Sequence, residues 1–138
     1  MPAPNQIPKS ILTEGIKSND LKLLKDWGNY FSREDQIQDG QRPARLKELT
    51  TSQIRKFFGE IKRIQADFHN LKNEIILLDP KIAYAVGRAK KDGRTKLDDF
   101  YKQLSPLLLD INEDEKKFKY FVNLVEAIVA YHKASGGL

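Results

Sequence analysis

The stretch that decides the fold is "LTTSQIRKFFGEIKRIQADFHNL", residues 49–71. Thr50 followed three residues later by Gln53 has the pattern of a capping box, which predicts that a helix begins there. Apolar residues then recur at intervals of three and four, and at about 100° per residue they share one side of a helix of about six turns. These residues are Ile54, Phe57, Phe58, Ile61, Ile64, Phe68 and Leu71. The spacing therefore predicts a long helix with one face in the core.

The other side of this predicted helix is basic. Arg55, Lys56, Lys62 and Arg63 fall in an arc centred opposite the apolar stripe. A helix with a hydrophobic face and a cationic face is amphipathic, so the cations are expected to lie at the surface.

A second basic stretch follows it, "KIAYAVGRAKKDGRTK", residues 81–96. Its six lysines and arginines against one acid give a balance of +5, which equals the formal net charge of the whole chain, +5. Almost all the excess positive charge is therefore concentrated in this one segment. Such a segment favours an acidic partner.

The secondary structure of the second basic stretch has two readings. Alternating apolar residues from Ile82 to Val86 could form a strand of period two. Asp79 before Pro80, however, is a good helix start, and we favour a helix that ends near Asp92-Gly93. In that helix one polar side carries Lys81, Tyr84, Arg88 and Lys91.

The rest of the chain completes an all-α prediction, a compact bundle of about five helices. Residues 1–48 are expected to form an arm (residues 1–8), a short helix over 19–32 capped by Asn19 or Asp20, and a polar linker over 33–48. Residues 49–138 are expected to form the bundle core with its basic face. After the two basic stretches, one helix runs from about Thr95 to Ile111 and is kinked or split by Pro106. The last helix starts after Asn112 and stops at Gly136-Gly137.

The last helix is unusually apolar around its circumference. Its hydrophobic residues cover about half of the helix surface, more than the stripe of about 100° that a surface helix needs. This width predicts burial in the middle of the domain or against another subunit.

Composition and motifs exclude most other classes of site. The 138 residues include no cysteine, and the pI is about 9.3. We find no signal peptide and no membrane span, which predicts a soluble cytoplasmic protein without a membrane partner. Gly87 and Gly93 only approximate a phosphate loop, and His69 and His132 lack metal-ligand spacing. No catalytic residue, metal site or cofactor is predicted.

The basic residues with Tyr84 suit RNA, because lysine and arginine neutralise phosphates and a tyrosine can stack on a base. Lys90, Arg94 and Lys96 could extend that surface. Other readings remain open at this point: charges that only solvate helix faces, a helical adaptor for a protein partner, a DNA-binding protein, or an enzyme.

Three segments together resemble one family. "LTTSQIRKFF" (49–58), "PKIAYAVGR" (80–88) and "VEAIVAYHKASGG" (125–137) are similar to the small helical subunit of type III-A CRISPR effector complexes, the Csm complexes. The resemblance implies a non-catalytic helical bundle that stacks as a filament. It would hold the guide–target RNA duplex, chiefly the target strand, through phosphates. The implied partners are guide RNA, target RNA, the other Csm subunits and further copies of the chain.

The resemblance also implies roles for single residues. Arg55, Lys56, Lys81 and Arg88 fall where RNA-facing basic residues are expected. Helix geometry, not the family motif, adds Lys62, Arg63, Tyr84, Lys91 and Arg94 to the candidate RNA-binding set. In the third segment, Glu126, Tyr131 and His132 are expected to serve packing or subunit contacts.

Overall fold

A helix near the C-terminus lies at the centre of the molecule. The computed structural model describes residues 2–137, apart from the side chains of Asp39 and Asp92. In this range the helices are α1 (Ile11–Glu14), α2 (Ser18–Phe31), α3 (Thr51–Ala66), α4 (Phe68–Leu71), α5 (Leu78–Ala89), α6 (Leu97–Ile111) and α7 (Glu115–Ala134), and the strands are β1 (Asp35–Asp39) and β2 (Arg42–Leu46). Single 3₁₀ turns, Lys72–Glu74 and Lys90–Asp92, precede and follow α5.

The central helix is α7, which packs against α1, α2, α3 and α6, whereas α5 packs on α6. The other helices cover its wide apolar surface, and residues such as Phe121, Leu124 and Ile128 are completely buried. The prediction that this helix lies in the middle of the domain is confirmed.

α2 and α7 approach each other closely at Gly28. A Cβ added at Gly28 would lie 2.5 Å from Cβ of Tyr131, so only glycine lets the two helices meet there. Further along, the hydroxyl of Ser135 donates to Oγ of Ser32 at 2.8 Å. The N-terminal helices are thus part of the same core as the C-terminal one.

The prediction of a polar linker over residues 33–48 is wrong, because this segment contains two β-strands. For the same reason the fold is not entirely α-helical. β1 and β2 form an antiparallel hairpin in which Asp35 faces Leu46 and Asp39 faces Arg42. Gly40 takes a φ of +69° in the turn. Ile37, facing Ala44, is partly buried on one side of the hairpin. The strands escaped detection because each has five residues and only a short polar–apolar alternation. The fold is mostly helical, 67%, with this one small sheet.

Within the segment predicted to be an arm, Asn5 and Ile7 are attached to the bundle. Ile7 is buried, and its backbone N–H donates to Oε1 of Gln103 at 2.9 Å. The indole N–H of Trp27 donates to the carbonyl of Asn5 at 2.9 Å. Ile7 and Trp27 thus belong to the same hydrophobic core as the later helices. The division of the chain at residue 48 stays a prediction, and its end points 1 and 138 lie outside the described residues.

Helix boundaries agree in part with the predictions. The capping box is confirmed, since Thr50 Oγ1 accepts the backbone N–H of Gln53 at 3.1 Å. The predicted six-turn helix instead ends at Ala66, because Asp67 leaves helical geometry, and α4 then follows as a single turn.

The remaining helices correspond closely to the predicted ones. α2 begins at Ser18 rather than after an Asn19 or Asp20 cap. α5 confirms helix over strand, and α6 continues through Pro106 without splitting. The five longer helices match the five predicted, and the single-turn helices α1 and α4 are additional.

Candidate nucleic-acid interface

One exposed surface follows α5 and the loop after it. Tyr84 is 69% exposed, and the guanidinium carbon of Arg88 lies 5.9 Å from the centre of its ring. Lys90 and Lys91, in the 3₁₀ turn, and Arg94 are also exposed. Among the described residues, none of these four cations forms an ion pair with a carboxylate. We call Tyr84, Arg88, Lys90, Lys91 and Arg94 the α5 surface.

The basic side of α3 is more mixed. Arg55 and Lys56 are exposed and make no ion pair within the described part of the chain. Lys62 is exposed and donates to Oε1 of Gln65 at 3.1 Å, with its ammonium 6.0 Å from the ring centre of Phe58. These three cations are available to solvent.

Arg63 and Lys81, in contrast, are neutralised by acids. Arg63 Nη2 lies 2.6 Å from Oε1 of Glu74 and 3.1 Å from Oε2 of Glu60. Lys81 Nζ lies 3.8 Å from the same oxygen of Glu60. We call Glu60, Arg63, Glu74 and Lys81 the Glu60 cluster. It contains two cations and two carboxylates, so its net charge is near zero.

The electrostatics of the Glu60 cluster follow from these contacts. The hydrogen bond to Glu74, then the one to Glu60, raises the pKa of the Arg63 guanidinium. The hydrogen bond from Arg63 lowers the pKa of the Glu74 carboxyl. A phosphate that bound Arg63 would therefore have to compete with two carboxylates already in place.

The structure brings only some of the predicted residues together. The Glu60 cluster joins the second half of α3 to the start of α5, so Arg63 and Lys81 are neighbours. Arg55 is eight residues before Arg63, which corresponds to about 12 Å along the helix axis. Of the candidate residues, these contacts therefore join only Arg63 and Lys81, and they place both in a cluster without net charge.

Lys96 is the basic residue that the sequence misplaced. It was expected to extend the RNA surface, but its side chain is fully buried. Its ammonium donates to the carbonyl oxygen of Tyr30 at 2.7 Å and to Oδ2 of Asp35 at 2.8 Å. Burial lowers the pKa of the Lys96 ammonium, whereas the hydrogen bond from Lys96 lowers the pKa of Asp35. Lys96 cannot reach a phosphate in this structure.

Arg42 is a surface residue that sequence reasoning missed. It is exposed near the turn of the hairpin, in the segment that was expected to be a linker. The other exposed arginine of the hairpin, Arg45, is paired with Glu34. No signal in the sequence alone separates the two arginines.

The third segment of the resemblance serves mostly internal packing. His132 is buried, and its Nε2 lies 2.6 Å from the carbonyl oxygen of Leu49. Tyr131 is partly buried at the close approach of Gly28. Glu126 is exposed, and its role in a subunit contact stays a prediction.

Chemical groups for catalysis or metal binding are not assembled in the described residues. Within residues 2–137 no three His, Cys, Asp or Glu side chains are grouped so that they could hold a metal ion. His69 is exposed and lies 3.9 Å from Glu115. Across the same range, every helix is too short or too polar to cross a bilayer.

The fold and this surface define a class: a mostly helical, basic protein. The family model described as Csm2 Type III-A matches residues 32–137, so the chain belongs to the Csm2 family, the small subunit of type III-A CRISPR effector complexes. Members are non-catalytic structural subunits of the Csm complex, which carries a guide RNA. The match includes the hairpin and all nine predicted RNA-binding residues. A comparison with curated proteins and one with solved structures each give no match.

Proposed function

We propose that this subunit holds RNA in the cytoplasmic effector complex by phosphate contacts on the α5 surface, chiefly to the target strand of the guide–target duplex. The observation that carries the proposal is that Arg88, Lys90, Lys91 and Arg94 are exposed on the same segment as the exposed ring of Tyr84 and pair with no carboxylate among the side chains that the structure describes. Cations without internal partners lose no ion pair when they bind a phosphate.

Binding to the backbone suits the task of such a complex. A guide-programmed complex must accept any target, so base pairing reads the sequence and the protein holds the strands. Lysines and arginines bind phosphates whatever the base, and release counterions when they do so. A flat exposed tyrosine adds stacking that tolerates every base.

The predicted residues are not equivalent in this proposal. Arg88, Lys91 and Arg94, with the neighbouring Lys90, are the principal phosphate contacts. Arg55, Lys56 and Lys62 form a secondary area on α3. Arg63 and Lys81 contribute least, because a phosphate must displace Glu60 or Glu74 from them.

Stacking of copies into a filament is a separate part of the proposal. Ile76 and Leu77, just before the exposed face of α5, are 48% and 49% exposed. These two adjacent apolar side chains are the candidates that we choose for a contact between copies, because a contact would bury their exposed surface. We expect a Leu77→Ser variant to reduce the apparent mass measured by light scattering at high protein concentration. An unchanged mass would exclude Leu77 from the contact.

Binding of labelled single-stranded RNA by the purified chain over a salt series tests the RNA-binding function. Four phosphate contacts predict that log K falls against log salt with a slope of about −3, since each contact on a single strand contributes about 0.7. Absence of binding at low salt, or binding without salt dependence, would contradict the proposal. It would favour the other reading, a helical adaptor for a protein partner.

A further inference from the structure

The end of the hairpin is joined to the loop that carries Arg94. The backbone N–H of Lys47 donates to the carbonyl of Arg94 at 2.9 Å, and the N–H of Lys96 donates to the carbonyl of Lys47 at 2.9 Å. Lys47 and Thr95 thus form a parallel bridge. The residue after β2 therefore fixes the backbone on both sides of Thr95.

The side chain of Lys96 fastens the same loop from inside. Its ammonium reaches the carbonyl of Tyr30 at the end of α2 and the carboxylate of Asp35 at the start of β1. It also lies 3.9 Å from the centre of the Tyr30 ring, a favourable cation–π position. Two of the three N–H donors of this buried ammonium thus make hydrogen bonds, one of them to a carboxylate, which compensates the burial of the charge.

The anchor is directly connected to the cationic surface. Arg94 is two residues before Lys96 and is exposed, whereas Thr95 and Lys96 are buried. Gly93, with a φ of +113°, is the residue at which the chain leaves the 3₁₀ turn carrying Lys90 and Lys91. A loop that is anchored at one end and exposed at the other presents its cations in a defined orientation.

We propose that Lys96 is a positioning residue for RNA binding: it holds residues 94–96 against the hairpin and so fixes the orientation of Arg94, with Lys90 and Lys91 next to it. This inference rests on the proposed RNA-binding function. Without the anchor the loop is free, and its ordering entropy must be lost when RNA binds. Lys96, which cannot touch RNA, thereby determines how Arg94, Lys90 and Lys91 are presented to RNA.

A Lys96→Met variant tests the proposal, because methionine keeps the apolar stem and removes the donors. We expect faster hydrogen exchange at the backbone N–H groups of Lys47 and Lys96. We also expect RNA affinity to fall about tenfold, because the conformational entropy of about one backbone residue is then lost when RNA binds instead of when the protein folds. A Lys96→Met/Asp35→Asn variant, which also removes the charge of the carboxylate that pairs with Lys96, is the alternative if the single variant does not fold.

A double-mutant cycle separates positioning from general loss of stability. The Lys91→Ala/Arg94→Ala substitution should cost less affinity in the Lys96→Met background than in wild type, because those cations are already misplaced. A Leu124→Ala variant in the core of α7 is the control, measured at a temperature where both proteins are folded. It should destabilise the fold and leave the affinity and the salt slope of RNA binding unchanged.

Two results would overturn the proposal in distinguishable ways. If Lys96→Met binds RNA like wild type while Lys91→Ala/Arg94→Ala binds weakly, the α5 surface is correct and the positioning role is wrong. If Lys91→Ala/Arg94→Ala also binds like wild type, the RNA surface itself is wrong, and the positioning role fails with it.

Discussion

α3 and α5 each present basic residues to solvent, yet the two helices differ in what surrounds those residues. On α3, Arg63 contacts two carboxylates, and Glu60 on the same helix also approaches Lys81. On the α5 surface, Arg88 lies beside an aromatic ring and forms no ion pair with any of the described acids. The availability of a cation is therefore set by its neighbours in the fold, not by its place on an amphipathic helix.

Lys96 is the extreme case in this comparison. It belongs to the most basic stretch of the sequence, but its ammonium is buried against Asp35 and Tyr30. Among these basic residues, Arg88 is exposed beside an aromatic ring, Arg63 is paired with carboxylates at the surface, and Lys96 is buried.

Removing the free cations of the α5 surface should have the largest effect. We expect an Arg88→Ala/Lys91→Ala/Arg94→Ala variant to bind RNA about 100-fold more weakly at 0.1 M salt, since three contacts each contribute about 0.7 to the salt slope. Fluorescence anisotropy with labelled RNA measures both the affinity and its salt slope. An Arg55→Ala/Lys56→Ala/Lys62→Ala variant changes the net charge equally and is the matched control. An equal loss in both variants would contradict the ranking of the α5 surface above the α3 area.

The exposed ring of Tyr84 should have the next largest effect. If it stacks on a base, Tyr84→Ala should lower RNA affinity about tenfold. Tyr84→Phe keeps the ring and should bind like wild type in the same assay. A loss in Tyr84→Phe equal to that in Tyr84→Ala would mean that the hydroxyl, not stacking, makes the contact.

Removing the charge of Glu60, one of the two carboxylates of the Glu60 cluster, should strengthen RNA binding. Glu60→Gln releases Lys81 and one contact of Arg63, and one additional phosphate contact corresponds to about fivefold tighter binding at 0.1 M salt. Glu113→Gln makes the same charge change at an exposed position in the turn between α6 and α7 and is the control. Equal gains in the two variants would assign the effect to net charge instead of to the released cations.

The buried cation should show itself in the pH dependence of stability. The hydrogen bond from Lys96 holds the pKa of Asp35 below its ordinary value of 3.8. The ionised carboxylate therefore contributes stability that is present above about pH 4 and is lost as pH falls through the lowered pKa. We expect the free energy of unfolding to fall less steeply below about pH 4 in Asp35→Asn than in wild type, measured by urea unfolding. Identical slopes would contradict the Lys96–Asp35 pair.

Periodic elements were predictable from the sequence, and elements defined by distant partners were not. The capping box at Thr50 and the apolar stripe that follows are local signals, and they correctly placed α3. The hairpin has five-residue strands and depends on contact with residues 94–96, some 50 positions away. The end of α3 before Asp67 was likewise not predictable, because no proline or glycine lies at this position.

The candidate site shows the same division. Helix spacing correctly placed Lys81, Tyr84 and Arg88 at the surface of one helix. Glu60 could have been noticed three residues before Arg63, as a helical ion pair. Glu74 and Asp35 could not, because their pairing with Arg63 and Lys96 depends on tertiary structure.

Photochemical cross-linking of the chain to 4-thiouridine-containing RNA, with the cross-linked peptides identified by mass spectrometry, tests the central claim most directly. Cross-links are expected to concentrate on the peptides of the α5 surface, between Tyr84 and Arg94, and to disappear at high salt. Cross-links that concentrate on the α3 peptides around Arg55 or Arg63, with none between Tyr84 and Arg94, would contradict it.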